Sequence, residues 1–155
     1  MIDTARVGTK RCPPLPIEPI DRLAEIKHLL SACGLPTADI SPSNSLLFFG
    51  SHSDAKLVGI VGLEVYGTVA LLRSLAVDPT QRKHGLGKSL VDFAEAHAAS
   101  LGVKSLYLLT TTADALFSRL GYAHASREEA PRVIKATSQF SALCPASSVF
   151  MCKHL

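Results

Sequence analysis

A chain of 155 residues, 47% hydrophobic and 19% charged, is long enough for one domain with a sizeable core and is composed like a soluble globular protein. A net charge of +3 is too mild to mark a nucleic-acid binder, and no apolar run approaches the roughly 18 residues of a membrane span. The first residues are polar and lack an apolar signal core, so a cytoplasmic protein with reduced thiols is expected. Cys12, Cys33, Cys144 and Cys152 show no C-x-x-C spacing, so metal ligation is not indicated and the thiols read as core or surface filling.

Residues 1–14 are polar and end on proline, which reads as a loosely held arm before a single domain over residues 15–155. Leu15 to Ile17 suits a short strand. Asp21 is placed to cap a helix whose Leu23, Ile26, Leu29 and Leu30 share a face, with Gly34 ending it. Leu35 to Asn44, interrupted by Pro36 and Pro42, reads as loop or a broken second helix. Leu46–Phe49 and Leu57–Val65 read as strands, and a turn at Tyr66 and Gly67 sends the chain back. That turn would set Glu64 opposite Val69, on one sheet face with Leu71 and Arg73. Arg73 would then lie about 13 Å from Glu64, too far for an ion pair but suited to bracketing a small molecule.

Leu71 to Val77 is a short apolar run interrupted by Arg73 and Ser74, as in a strand buried on both faces, and Asp78 and Pro79 end it. The basic glycine turn Arg82, Lys83, His84, Gly85, Leu86, Gly87, Lys88 follows. From Leu86 the apolar positions recur at Leu90, Phe93, Ala94, His97 and Leu101, a helical spacing closed by Gly102. A strand feeding a glycine turn that opens a helix aims several backbone N–H groups one way, backed by the positive end of the helix dipole, and so suits a phosphate. Two better-known phosphate motifs fail here. A P-loop wants glycine where Arg82 stands, and a dinucleotide fingerprint wants a third glycine where Leu90 stands.

Ser105 to Thr110 is the next strand, parallel to Leu71–Val77 because a helix joins them. Thr112 suits the cap of a short helix carrying Leu116, Phe117 and Leu120 that ends at Gly121, and Tyr122 begins another strand. Pro131 suits the first turn of a further helix, and Val149 to Lys153 closes the sheet.

What remains, R-x-x-G-x-G behind Leu75, Ala76, Val77, Asp78 and Pro79, resembles the acetyl-CoA signature of the GNAT superfamily of N-acetyltransferases. Val77, Pro79, Arg82, Gly85, Gly87 and Leu90 fall where that signature wants them, and the likeness continues through Ala113, Leu116, Leu120, Gly121 and Tyr122. Three segments, Leu71–Val77, Tyr107–Ala113 and Ala130–Met151, resemble the arsenic-resistance branch of these enzymes.

The resemblance implies an α/β fold with a central mixed sheet flanked by helices and a splayed parallel strand pair that admits the cofactor. It implies transfer of acetyl from acetyl-CoA to the primary amine of a small molecule, an arsenical or a phosphinothricin-type glutamate analogue among the candidates. Arg82, Lys83, His84, Gly85, Leu86, Gly87 and Lys88 then anchor the pyrophosphate, and backbone N–H groups at Leu75, Ala76 and Val77 hold the thioester carbonyl and its oxyanion. Thr110 and Phe117 contact the pantetheine arm. Both depart from the superfamily pattern: Thr110 stands where asparagine is common, and Phe117 where a tyrosine commonly protonates the leaving thiolate, a role for which Tyr66 and Tyr122 are the substitutes at hand.

Glu64 is the candidate base, through a water, and Arg73 the candidate reader of an acceptor carboxylate or oxyanion. His97, on the apolar helix face, reads as a core histidine. Acetylation of a protein or peptide amine, and a non-catalytic CoA-binding sensor, are the other readings. Nucleic-acid and membrane partners are not expected, and a homodimer through terminal strands is compatible with the fold.

Overall fold

The computed structural model describes residues 15–35, 37, 40, 46–81, 85–111, 113–137, 140 and 148–155. In chain order the elements are β1 (Glu18–Pro19), α1 (Leu23–Ala32), β2 (Leu46–Ser53), β3 (Lys56–Tyr66), β4 (Val69–Val77), α2 (Leu86–Ser100), β5 (Ser105–Thr110), α3 (Asp114–Arg119), β6 (Ala123–His124), α4 (Arg132–Lys135) and β7 (Val149–His154). The seven strands form one sheet in the order β1-β2-β3-β4-β5-β7-β6. Among the described residues, only β4 and β5, joined through α2, run parallel; the other neighbours are antiparallel. This is the expected mixed α/β architecture.

The strands alternate between two apolar layers. Val58, Val61, Leu63, Ala70, Leu72, Leu106 and Leu108 turn to the α2 face, where Leu86, Leu90, Val91, Ala94 and Ala98 meet them. Burying one such leucine contributes about 2 to 3 kcal/mol, so this helix is held by its stripe rather than by its propensity. Phe93 and His97 tilt against Phe49 at 5.1 and 4.8 Å between ring centroids, which makes His97 a packing residue as its position on the stripe suggested. On the opposite face Ile26, Leu29 and Leu30 of α1 cover Phe48, Leu57, Ile60 and Ala76, while Ile134 of α4 covers Leu71 and Phe150.

Several local expectations shift. The first strand is Glu18–Pro19 rather than Leu15–Ile17. Helix α1 starts behind Arg22 with no side-chain cap, so Asp21 does not serve as one, although Gly34 does take the left-handed conformation after its end. Pro131 stands just before the first turn of α4 rather than in it. Thr112, expected to cap α3, lies outside the described residues.

The largest correction concerns the β3–β4 hairpin. Tyr66 pairs with Val69, so the loop is Gly67 and Thr68, not Tyr66 and Gly67. Moving the loop by one residue slides the register by two, which keeps every side chain on its predicted face but sets Glu64 opposite Leu71. Arg73 therefore lies two residues from Glu64's partner instead of four.

Candidate active site

Strand β4 begins as an ordinary parallel neighbour of β5, with Val69 paired to Ser105, Ala70 to Leu106 and Leu71 to Tyr107; the pairing then stops. Beyond that point β5 stays in register with β7 up to Thr110 and Val149, while β4 stays with β3 up to Val77 and Gly59. The two parallel strands thus part company over Leu72–Val77. A bulge enforces the parting. Arg73 faces Gly62 and Ala76 faces Ile60, so β4 carries one residue more than its partner, and Ser74 takes the extra turn at φ +57°.

The wedge opens toward the start of α2. Gly85 precedes the helix at φ +79°, a conformation glycine adopts without the cost a side chain would incur. Among the described residues, a Cβ built on Gly85 meets nothing within 4 Å, and one on Gly87 meets only Val77 Cγ2 at 3.8 Å. The first-turn N–H groups of α2 have no partner within the helix by construction, the arrangement that the sequence pattern matches to a phosphate. Arg82, Lys83 and His84 lie outside the described residues. Lys88, also expected to add charge here, bonds Asp92 Oδ2 at 2.7 Å, and that bond raises its pKa.

The turn leading to this helix is braced by Asp78. Its Oδ1 accepts from Thr80 N–H at 3.0 Å and from the Thr80 hydroxyl at 2.7 Å, and Lys56 Nζ reaches its Oδ2 at 2.9 Å. The Thr80 backbone bond, then the Thr80 hydroxyl and Lys56, hold the Asp78 carboxyl far below the usual range. The local sequence signal for this brace is Asp-Pro-Thr, an Asx-turn pattern.

Arg73 and Glu64 meet directly. Arg73 Nη1 lies 3.3 Å from Glu64 Oε2, with the two side chains 1% and 12% exposed. The Tyr66 hydroxyl donates to Glu64 Oε1 at 2.8 Å, and Arg73 Nε donates to Ser74 Oγ at 2.9 Å. The expected separation is thus replaced by a shared polar cluster. It occupies the seam between the α1 layer and the α4 layer, beside the parting of β4 and β5. Gly62 makes room for it: a Cβ there would lie 3.0 Å from Phe48 Cε1 and 3.2 Å from Arg73 Cγ.

On the other side of the wedge, Thr110 ends β5 and its hydroxyl accepts from Ala113 N–H at 3.0 Å, bending the chain into α3. Phe117 of α3 is buried in the same apolar cluster as Leu86, Leu90, Leu75 and Val77. Tyr122 stands edge-on to Phe117 at 5.5 Å. Its hydroxyl donates to Glu95 Oε2 at 3.0 Å, and burial together with the Glu95 charge pushes its pKa far up. The hydroxyls of the two tyrosines expected as substitutes are thus committed to carboxylates, Tyr122 to Glu95 and Tyr66 to Glu64. Among the described residues no group of three or more His, Cys, Asp or Glu is arranged to hold a metal ion, and no helix is long and apolar enough to cross a membrane.

A mixed sheet whose one parallel pair splits beside a glycine-opened helix end defines an α/β protein. The model of the acetyltransferase (GNAT) family matches residues 17–122, and the chain belongs to that family. An uncharacterized N-acetyltransferase from Chlorobaculum tepidum is 33% identical over 88 residues, which cover 56% of each chain. This chain thus spans little more than half the length of that relative. Among solved structures, the N-acetylglutamate synthase of Neisseria gonorrhoeae, complexed with coenzyme A and N-acetyl-glutamate, superposes with a TM-score of 0.74 at 19% identity, over 97% of this chain and 38% of that one. A GNAT-family acetyltransferase from Staphylococcus aureus gives 0.70 at 17% identity, over 91% and 99%. An aminoglycoside 6'-N-acetyltransferase complexed with coenzyme A gives 0.68 at 18%, over 90% and 97%. At these identities the solved structures share the fold.

Proposed function

We propose that this chain is an acetyl-CoA-dependent N-acetyltransferase acting on the primary amine of a small, amino-acid-like molecule. The observation that carries the reading is the opening of β4 from β5 after Leu71 and Tyr107, beside the helix end at Gly85 and Gly87. Gly85, Leu86, Gly87 and Lys88, with Arg82, Lys83 and His84, hold the pyrophosphate. Backbone groups of Leu75, Ala76 and Val77 hold the arm and the acyl carbonyl, and Thr110 and Phe117 line the other wall. The cofactor supplies the acetyl group in activated, thioester form.

Glu64, Arg73 and Tyr66 form the acceptor side. A carboxylate beside a guanidinium is complementary to a zwitterion: the ammonium approaches the carboxylate and the acid group approaches the guanidinium. Glu64 offers about four lone-pair directions and Tyr66 and Arg73 occupy two of them, which leaves acceptance of the amine's proton, directly or through water, open to it. Arg73 reads the carboxylate or oxyanion.

In the same reading the acceptor is an arsenical or phosphinothricin-type glutamate analogue, detoxified in the cytoplasm as part of arsenic resistance. Residues 15–155 form one catalytic domain, working as a homodimer; residues 1–14, expected from the sequence as an arm, lie outside the described residues. Calorimetric titration with acetyl-CoA, followed by thiol release against a panel of glutamate-like amines that includes arsenical and phosphinic members, tests both halves. Binding with release on one such amine is expected. No binding removes the cofactor reading, and binding with silence over the whole panel removes the acceptor.

A further inference from the structure

A second, partly buried charge cluster lies on the α2 face, away from the acceptor side. Lys153 of β7 and Glu95 of α2, with side chains only 27% and 14% exposed, pair at 2.9 Å. Lys153 Nζ also donates to the Leu120 carbonyl at 2.9 Å and lies 5.6 Å from the centre of the Tyr122 ring. The second oxygen of Glu95 accepts from the Tyr122 hydroxyl. Leu120 is the residue that closes α3. Lys153 thus satisfies a carbonyl that the end of α3 would otherwise leave without a partner. Gly121 makes the approach possible, since a Cβ there would lie 3.2 Å from Lys153 Cε.

Helix α3 has six residues, well below the roughly 12 to 15 an isolated helix needs in water, so contacts from outside decide where it stands. Two of those contacts run through Glu95. One goes by Lys153 to the Leu120 carbonyl. The other goes by the Tyr122 hydroxyl to the ring that backs Phe117 edge-on. Glu95 belongs to the same helix that Gly85 and Gly87 open. One carboxylate therefore joins the helix of the phosphate end to the short helix that walls the cleft.

We infer that Glu95 is a positioning residue for the cofactor cleft: through Tyr122 and Lys153 it fixes α3, and with it Phe117, relative to the phosphate-binding end of α2. This rests on the acetyl-CoA reading above. The role requires no contact between Glu95 and either substrate, and it separates binding of the cofactor from binding of the acceptor, whose residues lie on the other sheet face.

Two variants test it. Tyr122→Phe keeps the ring against Phe117 and removes only the bond to Glu95; Glu95→Gln keeps an acceptor for Tyr122 and removes the charge facing Lys153. Affinity for acetyl-CoA, measured calorimetrically well below the Tm of each protein, is expected to weaken about 3- to 10-fold in each, as for loss of one partly buried hydrogen bond. The acceptor KM and the kcat at saturating acetyl-CoA are expected to stay at the wild-type values. Variants with lowered Tm but unchanged acetyl-CoA affinity would make the cluster a stability element only and overturn the inference while leaving the cofactor reading intact. A wild-type protein that does not bind acetyl-CoA overturns both.

Discussion

Arg73 Nη1 lies 3.3 Å from Glu64 Oε2 across the β3–β4 ladder, and both side chains are almost entirely buried. A buried pair is poor at adding net stability but costly to break, because the survivor keeps its charge without the partner that offset its desolvation.

Arg73→Ala is accordingly expected to cost about 3 to 5 kcal/mol of stability. It is also expected to raise the acceptor KM or lower kcat while acetyl-CoA affinity holds. Arg73→Lys keeps the charge but not the planar fork, and should recover stability better than it recovers acceptor binding. Denaturant unfolding, calorimetric cofactor titration and steady-state kinetics check the three parts separately. A variant that weakens acetyl-CoA binding and leaves acceptor kinetics untouched would contradict the assignment of Arg73 to the acceptor side.

Why that pair was not legible in the sequence is instructive. The faces were: apolar alternation in β3 and β4 puts Glu64, Leu71 and Arg73 together whichever loop closes the hairpin. The distance was not, because it depends on which two residues make the turn, and Tyr66 with Gly67 or Gly67 with Thr68 satisfies the same local chemistry. The bulge at Ser74 was equally hidden, since a serine at φ +57° leaves no compositional trace. By contrast, the order strand, glycine turn, long helix, parallel strand was readable from Leu71 to Thr110, because each boundary carries its own signal in Asp78, Pro79, Gly85 and Gly102. Glu95 and Lys153 are 58 residues apart, and nothing local in either segment announces that they meet.

Gly85 stands at φ +79°, and none of the described residues comes within 4 Å of the place its Cβ would occupy. Gly85→Ala should cost about 1 to 2 kcal/mol through backbone conformation alone. Gly85→Glu adds a carboxylate where a pyrophosphate is proposed to sit, and is expected to abolish acetyl-CoA binding in a protein that still folds. Circular dichroism confirms the fold and titration reads the loss; unchanged affinity would defeat the phosphate assignment.

Asp78 gives the turn before α2 a dependence on pH. Its carboxyl is held far below the usual range by Thr80 and then Lys56, whereas an unfolded aspartate titrates near about 3.9. A group depressed in the folded state stabilises the fold above its unfolded pKa, and that stabilisation fades as pH falls below it toward the folded value. Asp78→Asn should therefore be less stable than wild type at pH about 7 and about 5 by similar amounts, with the gap narrowing below pH about 4. Urea unfolding at the three pH values checks the sign; a gap that widens on acidification would contradict it.

The β2–β3 hairpin holds the remaining test, in a segment that leads to Lys56 and hence to Asp78. Asp54 and Ala55 both sit at positive φ, +53° and +66°, between strands that pair Ser53 with Lys56. A two-residue hairpin loop with both residues left-handed matches the twist of the strands it joins, and for that reason favours Asn or Asp followed by Gly. Asp54 meets that preference and Ala55 does not. Alanine in this conformation costs about 1 to 2 kcal/mol, while glycine would lose about 0.4 to 1 kcal/mol more than alanine through the unfolded chain. The first effect outweighs the second, so Ala55→Gly should stabilise the protein by roughly 0.5 to 1 kcal/mol, a rise in Tm of about 1 to 4 °C for a chain of this size. Because the Lys56 side chain and its bond to Asp78 are untouched, acetyl-CoA affinity should not change. Thermal unfolding of the variant measures the first and calorimetric titration the second; a lower Tm would mean that the turn relaxes out of the left-handed region in solution.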